Sequence, residues 1–459
     1  MEMGCDEKVG VMKRGFLWMK SLVEKLVEIG SKTKALGKDD PRRVIHALKL
    51  GFTLTIVSLF YYYKPLYDNF GVSAMWAVMT VVVVFEFSVG ATLGKGLNRA
   101  VATLLAGGLG VGTHHLAALS GHVGQPIITS IFVFLIACTL TFMRFFPSIK
   151  AKYDYGMMIS ILTFSMVSIS GLQDDEVFLL LEKRVSTIFL GVCVCVVISI
   201  SVFPFWAGED LHNRIALNIE NLALFFEGYG SEYFKTSQDR EANKDEKLIQ
   251  AYKSVLKSSG IEDTLYNFAR WEPGHGCFQF RHPWKQYLKI GALTHQCAFR
   301  IDALHRNLSS SNFQVSQEIR REIQESCMEM SIESGKALRQ LVSSIREMTQ
   351  PTQAEIHTHN SKAAAKKLKA SLRSSRLWEH CDPLTLIPAA TIGSLLIDVV
   401  DCTEKIAEAV QELASLAHFN SAKPGVVSLE KSEAVIQIEK EKVQPNIGIS
   451  FVTIPISTG

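Results

Sequence analysis

Six apolar segments between residues 46 and 205 are the feature that most restricts the fold of this chain. A helix across a lipid bilayer needs about 20 mostly apolar residues, because the hydrocarbon core is about 30 Å thick. The gaps between the segments are short and contain Gly, Pro, Asn or Asp, which are typical of turns. We therefore predict six transmembrane helices in three close pairs. The segments are Leu50–Tyr63 (which extends back to His46), Val72–Gly90, Ala100–Leu119, Pro126–Met143, Gly156–Gly171 and Val185–Phe203.

Beyond residue 206 charged side chains become frequent, and apolar residues recur at spacings of three and four. This period predicts amphipathic helices that pack as a bundle. The segments concerned are Ile215–Phe226, Lys247–Leu265, His282–Arg306, Val315–Thr349, Ile356–Leu377 and Leu384–Ala417. The predicted fold class is all-α, a six-helix transmembrane domain followed by a helical cytosolic bundle. The predicted parts are a cytosolic N-terminal segment (1–44), a transmembrane pore domain (45–205), a cytosolic helical domain (206–418) and a disordered tail (419–459).

The charges in the gaps predict the orientation of the chain. On the side of the N-terminus the gaps carry the basic residues Arg42, Arg43, Lys95, Arg99, Arg144, Lys150 and Lys152. The opposite gaps carry Lys64, Lys183 and Arg184 among the acids Asp68, Asp174, Asp175, Glu176 and Glu182. Positive charge collects on the cytoplasmic side of membrane proteins, so both termini and the charged C-terminal half are predicted to be cytosolic.

The overall composition excludes several classes of function. With 48 Lys+Arg against 45 Asp+Glu, the chain lacks the basic excess of a nucleic-acid-binding protein. The nine cysteines are irregularly spaced, and no nucleophile is matched to a base, so we predict neither an enzyme nor a cofactor. The cluster Gly107–Gly112 has no register that fits a dinucleotide-binding loop. It is interpreted instead as a place where small residues let neighbouring helices approach closely.

Three cations at the edges of the apolar segments are candidates for function. Lys95 and Arg99 are four residues apart on one helical face, and Arg184 precedes the last segment. Such groups either snorkel to lipid phosphates or line a basic path through the protein, and composition alone does not separate the two. Glu86 is the one acid within an apolar segment, where it could pair with such a cation or lie near the cytoplasmic interface.

Five strings of this sequence together resemble the plant aluminium-activated malate transporter family. The longest is Ala74–Arg99, and it follows the aromatic run Phe60–Tyr63. The others are Asp40–Arg43, Val202–His212 and Trp271–Pro273, in the order that the family has them. The resemblance covers residues 39 to about 420 and leaves only the two tails outside.

This resemblance implies a plant anion channel that passes malate, and often other organic or inorganic anions, out of cells. It implies a homodimer within membrane lipid, with six transmembrane helices in each subunit. The family's pore-lining basic residues correspond to Lys95, Arg99 and Arg184 here, the three cations that the charge pattern selects. Similarity to the branch that acts in root exudation favours the plasma membrane over the vacuolar membrane.

Aluminium activation would require carboxylates on the outer face, because Al³⁺ is a hard cation that prefers oxygen ligands. In responsive members of the family such acids lie in the first and last external loops, where this chain has Asp68 and Asp175. The third expected acid is replaced by Leu179, with Asp174 and Glu176 as possible substitutes. The alternative is that these acids only keep the outer loops solvated.

The segment in which the chain leaves the membrane has a structural interpretation and a regulatory one. Pro204 breaks the helix, and Trp206 suits a membrane interface. The resemblance adds a proposed regulatory role, inhibition by γ-aminobutyrate, for the neighbourhood of Phe205, Trp206, Glu209 and Asp210.

Three functional hypotheses follow from the sequence. The first is a passive anion channel. The second is a proton-coupled organic-anion carrier, which should keep acids or histidines within its spans, where Glu86 is the only acid. The third, of a different class, is a membrane-anchored signalling scaffold that acts through its helical domain.

Overall fold

The chain is all-α, as the sequence predicts. The computed structural model describes residues 20, 24–62, 75–170, 177–233, 242–309, 317–373 and 383–420, and these residues form no β-strand. Residues 24–39 are helical. The helices that follow are α1 (Pro41–Tyr62), α2 (Met75–Val84), α3 (Val89–Ala118), α4 (Gly121–Met143), α5 (Pro147–Ser170), α6 (Val177–Ser201), α7 (Ala207–Tyr233), α8 (Ala242–Leu256), α9 (Ser259–Ala269), α10 (Trp284–Ser309), α11 (Gln317–Glu347), α12 (Thr352–Arg373) and α13 (Pro383–Leu416).

Two of these helices are long and apolar enough to cross a membrane, α4 over Val123–Met143 and α6 over Leu181–Ser201. The helix α2 is apolar but has only 10 residues within the described part of the chain. The arrangement of six spans followed by a cytosolic bundle, with its domain boundaries, therefore stays a prediction.

Apolar side chains of α4 point outward along its whole length. Val123, Ile131, Phe134 and Phe142 are all more than half exposed. With 23 residues this helix is about 35 Å long, which matches the thickness of a bilayer core. Exposed apolar surface of this extent is unfavourable in water and favourable in lipid, so α4 has the character of a lipid-facing helix.

The predicted boundary between the second and third apolar segments is wrong. Ser88 has an extended backbone, with φ −101° and ψ 154°, and its side chain accepts a hydrogen bond from the Ala91 backbone N–H at 3.3 Å, so it is the N-cap of α3. The predicted gap thus becomes the first turns of a 30-residue helix, with Lys95 and Arg99 inside it. Arg184 likewise lies within α6, which begins at Val177.

The C-terminal helices share one large apolar core. Its fully buried members include Ile215 and Leu222 of α7, Tyr287 of α10 and Leu341 of α11. The predicted helix Lys247–Leu265 is in fact two helices, because the chain turns at residues 257–258 between α8 and α9. A separate, smaller core joins α1, α2 and α6 around Val57, Val81 and Ile198.

The glycine cluster in α3 packs against its neighbours on one face, as predicted. A Cβ at Gly107 would lie 2.4 Å from Leu181 Cδ1, and one at Gly110 would lie 2.8 Å from Val167 Cγ1. These two glycines bring α3 close to α6 and α5. Gly108 and Gly112 face open space, since nothing lies within 4 Å of a Cβ at either position.

We predict that Gly110→Ala lowers the free energy of unfolding by about 1–3 kcal/mol, because the new methyl group overpacks the contact with α5. Gly108→Ala, two residues away in the same helix, is the matched control and should cause no loss. The thermal midpoint of the purified full chain measures both. Equal midpoints for the two variants would contradict the packing role of Gly110.

Candidate anion site

Arg99 is buried inside the helical assembly and has no carboxylate partner among the described residues. It is only 5% exposed, and α3 packs against both α5 and α6 around it. Its Nη1 donates a hydrogen bond to the hydroxyl oxygen of Tyr155 in α5, at 3.1 Å. Its Nε has no hydrogen-bond partner. The guanidinium group is therefore positioned by one neutral contact and retains an unused donor.

Arg184 is the counterpart of Arg99 in α6, with only 4% of its surface exposed. Its guanidinium carbon lies 3.8 Å from the centroid of the Trp76 ring in α2, which is a cation–π contact. One Nη contacts the Met166 sulfur, and the other has no hydrogen-bond partner. The helices that carry the two cations, α3 and α6, pack against each other.

Two buried arginines without a carboxylate partner are unfavourable unless something else supplies negative charge. The cost of a buried, unpaired charge is several kcal/mol, and structural arginines are usually paired. Among the described residues, Arg99 and Arg184 form no ion pair and each keeps a donor nitrogen unsatisfied. A mobile anion between α3 and α6 would supply the missing partner.

Lys95 differs from these two arginines. It is half-buried, forms an ion pair with Glu86, and lies 5.8 Å from the centroid of the Tyr155 ring. The Thr92 hydroxyl accepts from the Glu86 backbone N–H at 3.0 Å, which helps to hold the acid beside the lysine. Of the two interpretations of Glu86, pairing with a cation is confirmed. The charge of Lys95 is thus compensated within the protein.

The three backbone N–H groups at the start of α3 that have no partner within the helix, those of Val89, Gly90 and Ala91, are all bound by other groups. Val89 donates to the Phe205 carbonyl at 2.9 Å. Ala91 donates to the Ser88 hydroxyl as described above. Gly90 donates to Oε1 of Glu272 at 3.3 Å. Since helix N-termini leave these donors unpaired, this set of acceptors fixes where α3 begins.

The same Glu272 carboxylate also caps α7. Its Oε1 accepts from the Ala207 N–H at 2.6 Å, and its Oε2 accepts from the Gly208 N–H at 2.9 Å. Only 7% of Glu272 is exposed, and this burial raises the pKa of its carboxyl, while the three N–H donors act in the opposite direction. Close approach needs glycine here, because a Cβ at Gly90 would lie 2.3 Å from the Phe268 carbonyl oxygen. One carboxylate therefore joins the starts of two helices.

The predicted regulatory segment lies at this joint. The Phe205 ring stacks on Phe87 with centroids 5.1 Å apart, and Lys49 lies 4.9 Å above it. Trp206 stacks on His275 at 3.8 Å. Asp210 accepts from Arg42 Nη1 at 2.8 Å, whereas Glu209 is exposed in the first turn of α7. The segment is thus packed against helices from both halves of the chain.

Sequence reasoning located the cations but missed the groups that hold them. Trp76 and Tyr155 carry no motif that points to Arg184 or Arg99, and Glu272 entered the sequence analysis only within the string Trp271–Pro273. The predicted Al³⁺ ligands Asp68, Asp174, Asp175 and Glu176 lie outside the described residues, so that site stays a prediction.

Comparisons with known proteins identify the family. The profile of the family described as "Aluminium activated malate transporter" matches residues 34–380. The chain belongs to this family. Among its relatives are two proteins of Arabidopsis thaliana. Aluminum-activated malate transporter 2 is 54% identical over 87% of this chain and 80% of its own length. Aluminum-activated malate transporter 7 is 48% identical over 90% of this chain and 87% of its own length. Aluminum-activated malate transporter 1 of Triticum aestivum is 44% identical over 85% of this chain and 86% of its own length.

Membership confirms the resemblance seen in the sequence strings. The aluminium-activated malate transporter family is one of membrane transporters rather than enzymes, so this chain is a membrane protein and not an enzyme.

We predict that Glu272→Gln lowers the free energy of unfolding of this family member by about 2–4 kcal/mol, because an amide cannot replace a carboxylate that accepts three N–H groups. Glu209→Gln is the matched control. It changes an exposed acid of the same helix start and should cost less than about 1 kcal/mol. Thermal unfolding of the purified full chain tests the pair. A midpoint for Glu272→Gln as high as that of the control would show that the shared cap is not needed.

Proposed function

We propose that this chain is a plant anion channel that passes malate passively across a membrane, along a path lined by Arg99 and Arg184. The relatives named above are malate transporters, which supports malate as the transported anion. The observation that carries the channel proposal is the pair of buried guanidinium groups without carboxylate partners among the described residues.

The chemistry of this pair suits transit rather than tight binding. Guanidinium groups attract any anion, and a carboxylate that passes between α3 and α6 would be held by the donors that the protein leaves unsatisfied. A dianion between the two guanidinium groups compensates their mutual repulsion, which favours entry. Because neither group is paired with the other or with any acid in the described part of the chain, the anion is held only by electrostatic attraction and hydrogen bonds that it can exchange, so it can also leave.

The membrane potential is sufficient to drive export. In a cell with a negative interior, a dianion gains about 4.6 kcal/mol per 100 mV on leaving, twice the value for a single charge. No coupling ion is needed for this direction of flux.

The proton-coupled carrier is the second candidate. Such a carrier needs an acid or histidine that loads and unloads a proton within the membrane. Glu86, the one acid of the predicted spans, is engaged by Lys95, so the carrier would have to use a histidine of these spans, His46, His114 or His115.

The signalling scaffold differs from both transport hypotheses in what it predicts for the two arginines. If the chain is a scaffold, replacing Arg99 or Arg184 leaves its activity unchanged.

We predict that Arg184→Gln reduces malate current at equal surface expression by about tenfold or more, because it removes half of the positive field along the path. Lys183→Gln is the matched control: its side chain is exposed and is the immediate neighbour in α6. Voltage-clamp recording with ion substitution measures both variants and the unchanged chain.

Two results of this recording would contradict the channel. Currents of Arg184→Gln and Arg99→Gln equal to those of Lys183→Gln would exclude the basic path. A reversal potential that follows the proton gradient rather than the malate gradient would favour the carrier.

The assembly and topology of the channel are part of the same proposal. We infer a homodimer with six spans in each subunit, cytosolic termini and a place in the plasma membrane. The outward apolar face of α4 supports lipid contact, and the basic gaps on one side of the predicted spans support the orientation.

Aluminium sensitivity gives a separate prediction. Leu179 occupies the position at which responsive members have a third acid, so Leu179→Asp should increase the current evoked by external Al³⁺. Leu179→Asn is the control of similar size without charge. An equal Al³⁺ response of the two variants would contradict a carboxylate site at the last outer loop.

A further inference from the structure

A basic cavity of about 360 Å³ lies beside the start of α3 and is separate from the Arg99 and Arg184 side chains. It is bounded by the first turns of α3, the first turns of α5, and the end of α9 with the turn that follows, and it is open on one side. The side chains that matter most for its chemistry are Lys95, Asn98, Lys150, Lys152, Arg270 and Trp271. A cavity of this size accommodates a small-molecule ligand.

The charge of this cavity is strongly positive and mostly uncompensated. Its lining holds four cations and one carboxylate, Asp154, and that carboxylate is bound by Arg144 at 2.7 and 3.3 Å. Lys95 is paired with Glu86. Within the part of the chain that the structure describes, Lys150, Lys152 and Arg270 form no ion pair. Arg270 lies 5.8 Å from the centroid of the Tyr266 ring, a contact that leaves its charge in place. Three cations without a described carboxylate partner around one space favour a ligand with several negative charges.

Neutral hydrogen-bond donors are also available at the cavity. The Tyr155 hydroxyl oxygen accepts from Arg99, which leaves its proton free to be donated. The Asn98 amide is held by the Lys152 carbonyl at 3.2 Å, with its second N–H still unused in that contact. The Tyr155 hydroxyl and the Asn98 amide can donate to the hydroxyl oxygens of a phosphorylated sugar alcohol. A simple inorganic anion has no such hydroxyl groups, so these donors favour the sugar alcohol.

Apolar side chains adjoin the basic lining. Tyr153 and Met158 line the cavity and are nearly half exposed, and Phe145, in the preceding turn, is 77% exposed. A charged cavity next to exposed apolar surface suits a lipid, whose headgroup enters the cavity while its acyl chains lie outside. Basic pockets between membrane helices on the cytoplasmic side bind phosphorylated lipid headgroups in this way.

We propose that this cavity binds the phosphorylated inositol headgroup of a membrane lipid. Lys150, Lys152 and Arg270 hold its phosphates, and the aromatic and apolar residues at the rim contact its glycerol and acyl part. The site goes beyond anion permeation, because none of these three cations belongs to the arginine path. Its place on the cytoplasmic face rests on the predicted orientation.

The test is a direct binding measurement on the purified full chain in detergent, with dioctanoyl phosphatidylinositol bisphosphate as the probe. Each lysine facing such an anion contributes about a fivefold change in affinity, so Lys150→Gln with Lys152→Gln should weaken binding about 25-fold. The control is Lys253→Gln with Lys257→Gln, two exposed lysines in the last turn of α8 and in the turn after it, outside the cavity lining, which should leave affinity unchanged.

Further arms of the experiment separate the sources of the ligand. Inositol trisphosphate without acyl chains should bind more weakly than the lipid, and equal affinity would overturn the lipid assignment in favour of a soluble phosphate. Displacement of the lipid by malate at comparable concentration would overturn the proposal and make the cavity an entrance for the permeating anion. Equal affinity of the lysine variant and its control would also overturn it.

The outcome is independent of the channel proposal. The Arg184→Gln chain, which tests permeation, should bind the lipid with unchanged affinity. A chain that conducts malate but does not bind the lipid would contradict only the lipid-site proposal. A chain that binds the lipid but does not conduct malate would contradict only the channel proposal.

Discussion

The structure depends on one buried carboxylate that receives backbone N–H groups from the starts of two helices. Glu272 lies 182 residues from Gly90 and 64 from Gly208 along the chain, yet it binds both. A carboxylate at a helix N-terminus is favourable because it meets unpaired N–H groups and the positive end of the helix dipole. Because Glu272 binds the N-termini of α3 and α7 at the same time, separating these two helices would leave its buried carboxylate without some of its hydrogen-bond donors. The position of α3, and with it that of Arg99, is thereby fixed from the C-terminal half.

The cations of α1 to α6 differ in their partners. Some near the ends of these helices are paired with acids, as Arg144 is with Asp154 and Arg42 with Asp210. Arg99 and Arg184, deeper in the assembly, are not paired with any acid that the structure describes, and they use a tyrosine hydroxyl and a tryptophan ring instead. Neutral partners orient a guanidinium group without cancelling its charge. A stable fold would gain from a carboxylate at these positions, so keeping the charge uncancelled is more consistent with transport than with packing.

Much of the fold, but less of the site, could be predicted from the sequence. The apolar segments, the amphipathic period and the basic residues at segment edges are local signals, and they gave the all-α class and the three cations. The start of α3 was missed because Ser88 has Ala91, not Glu or Gln, at the third helical position, so the usual sign of a capped helix is lacking. The roles of Trp76, Tyr155 and Glu272 come from contacts between distant parts of the chain, and no local pattern encodes them. The six spans and the outer acids remain predictions for a different reason. They concern lipid contact and loops, which helical periodicity does not encode.

Both helices that carry the arginines meet at the joint around Phe205. The helix α3 begins there, with Val89 bound to the Phe205 carbonyl, and α6 ends at Ser201, four residues before it. Trp271 packs so closely on Gly94 that a Cβ there would lie 2.9 Å from its ring, which fixes the second turn of α3 as well. Arg99 is five residues further on, about 7.5 Å along a stiff helix. The Glu272 turn therefore contributes to the position of Arg99 through α3, whereas Arg184 is positioned by its contact with Trp76 on α2. The position of Arg99 relative to Arg184 thus depends in part on the turn after α9, through contacts that involve neither arginine.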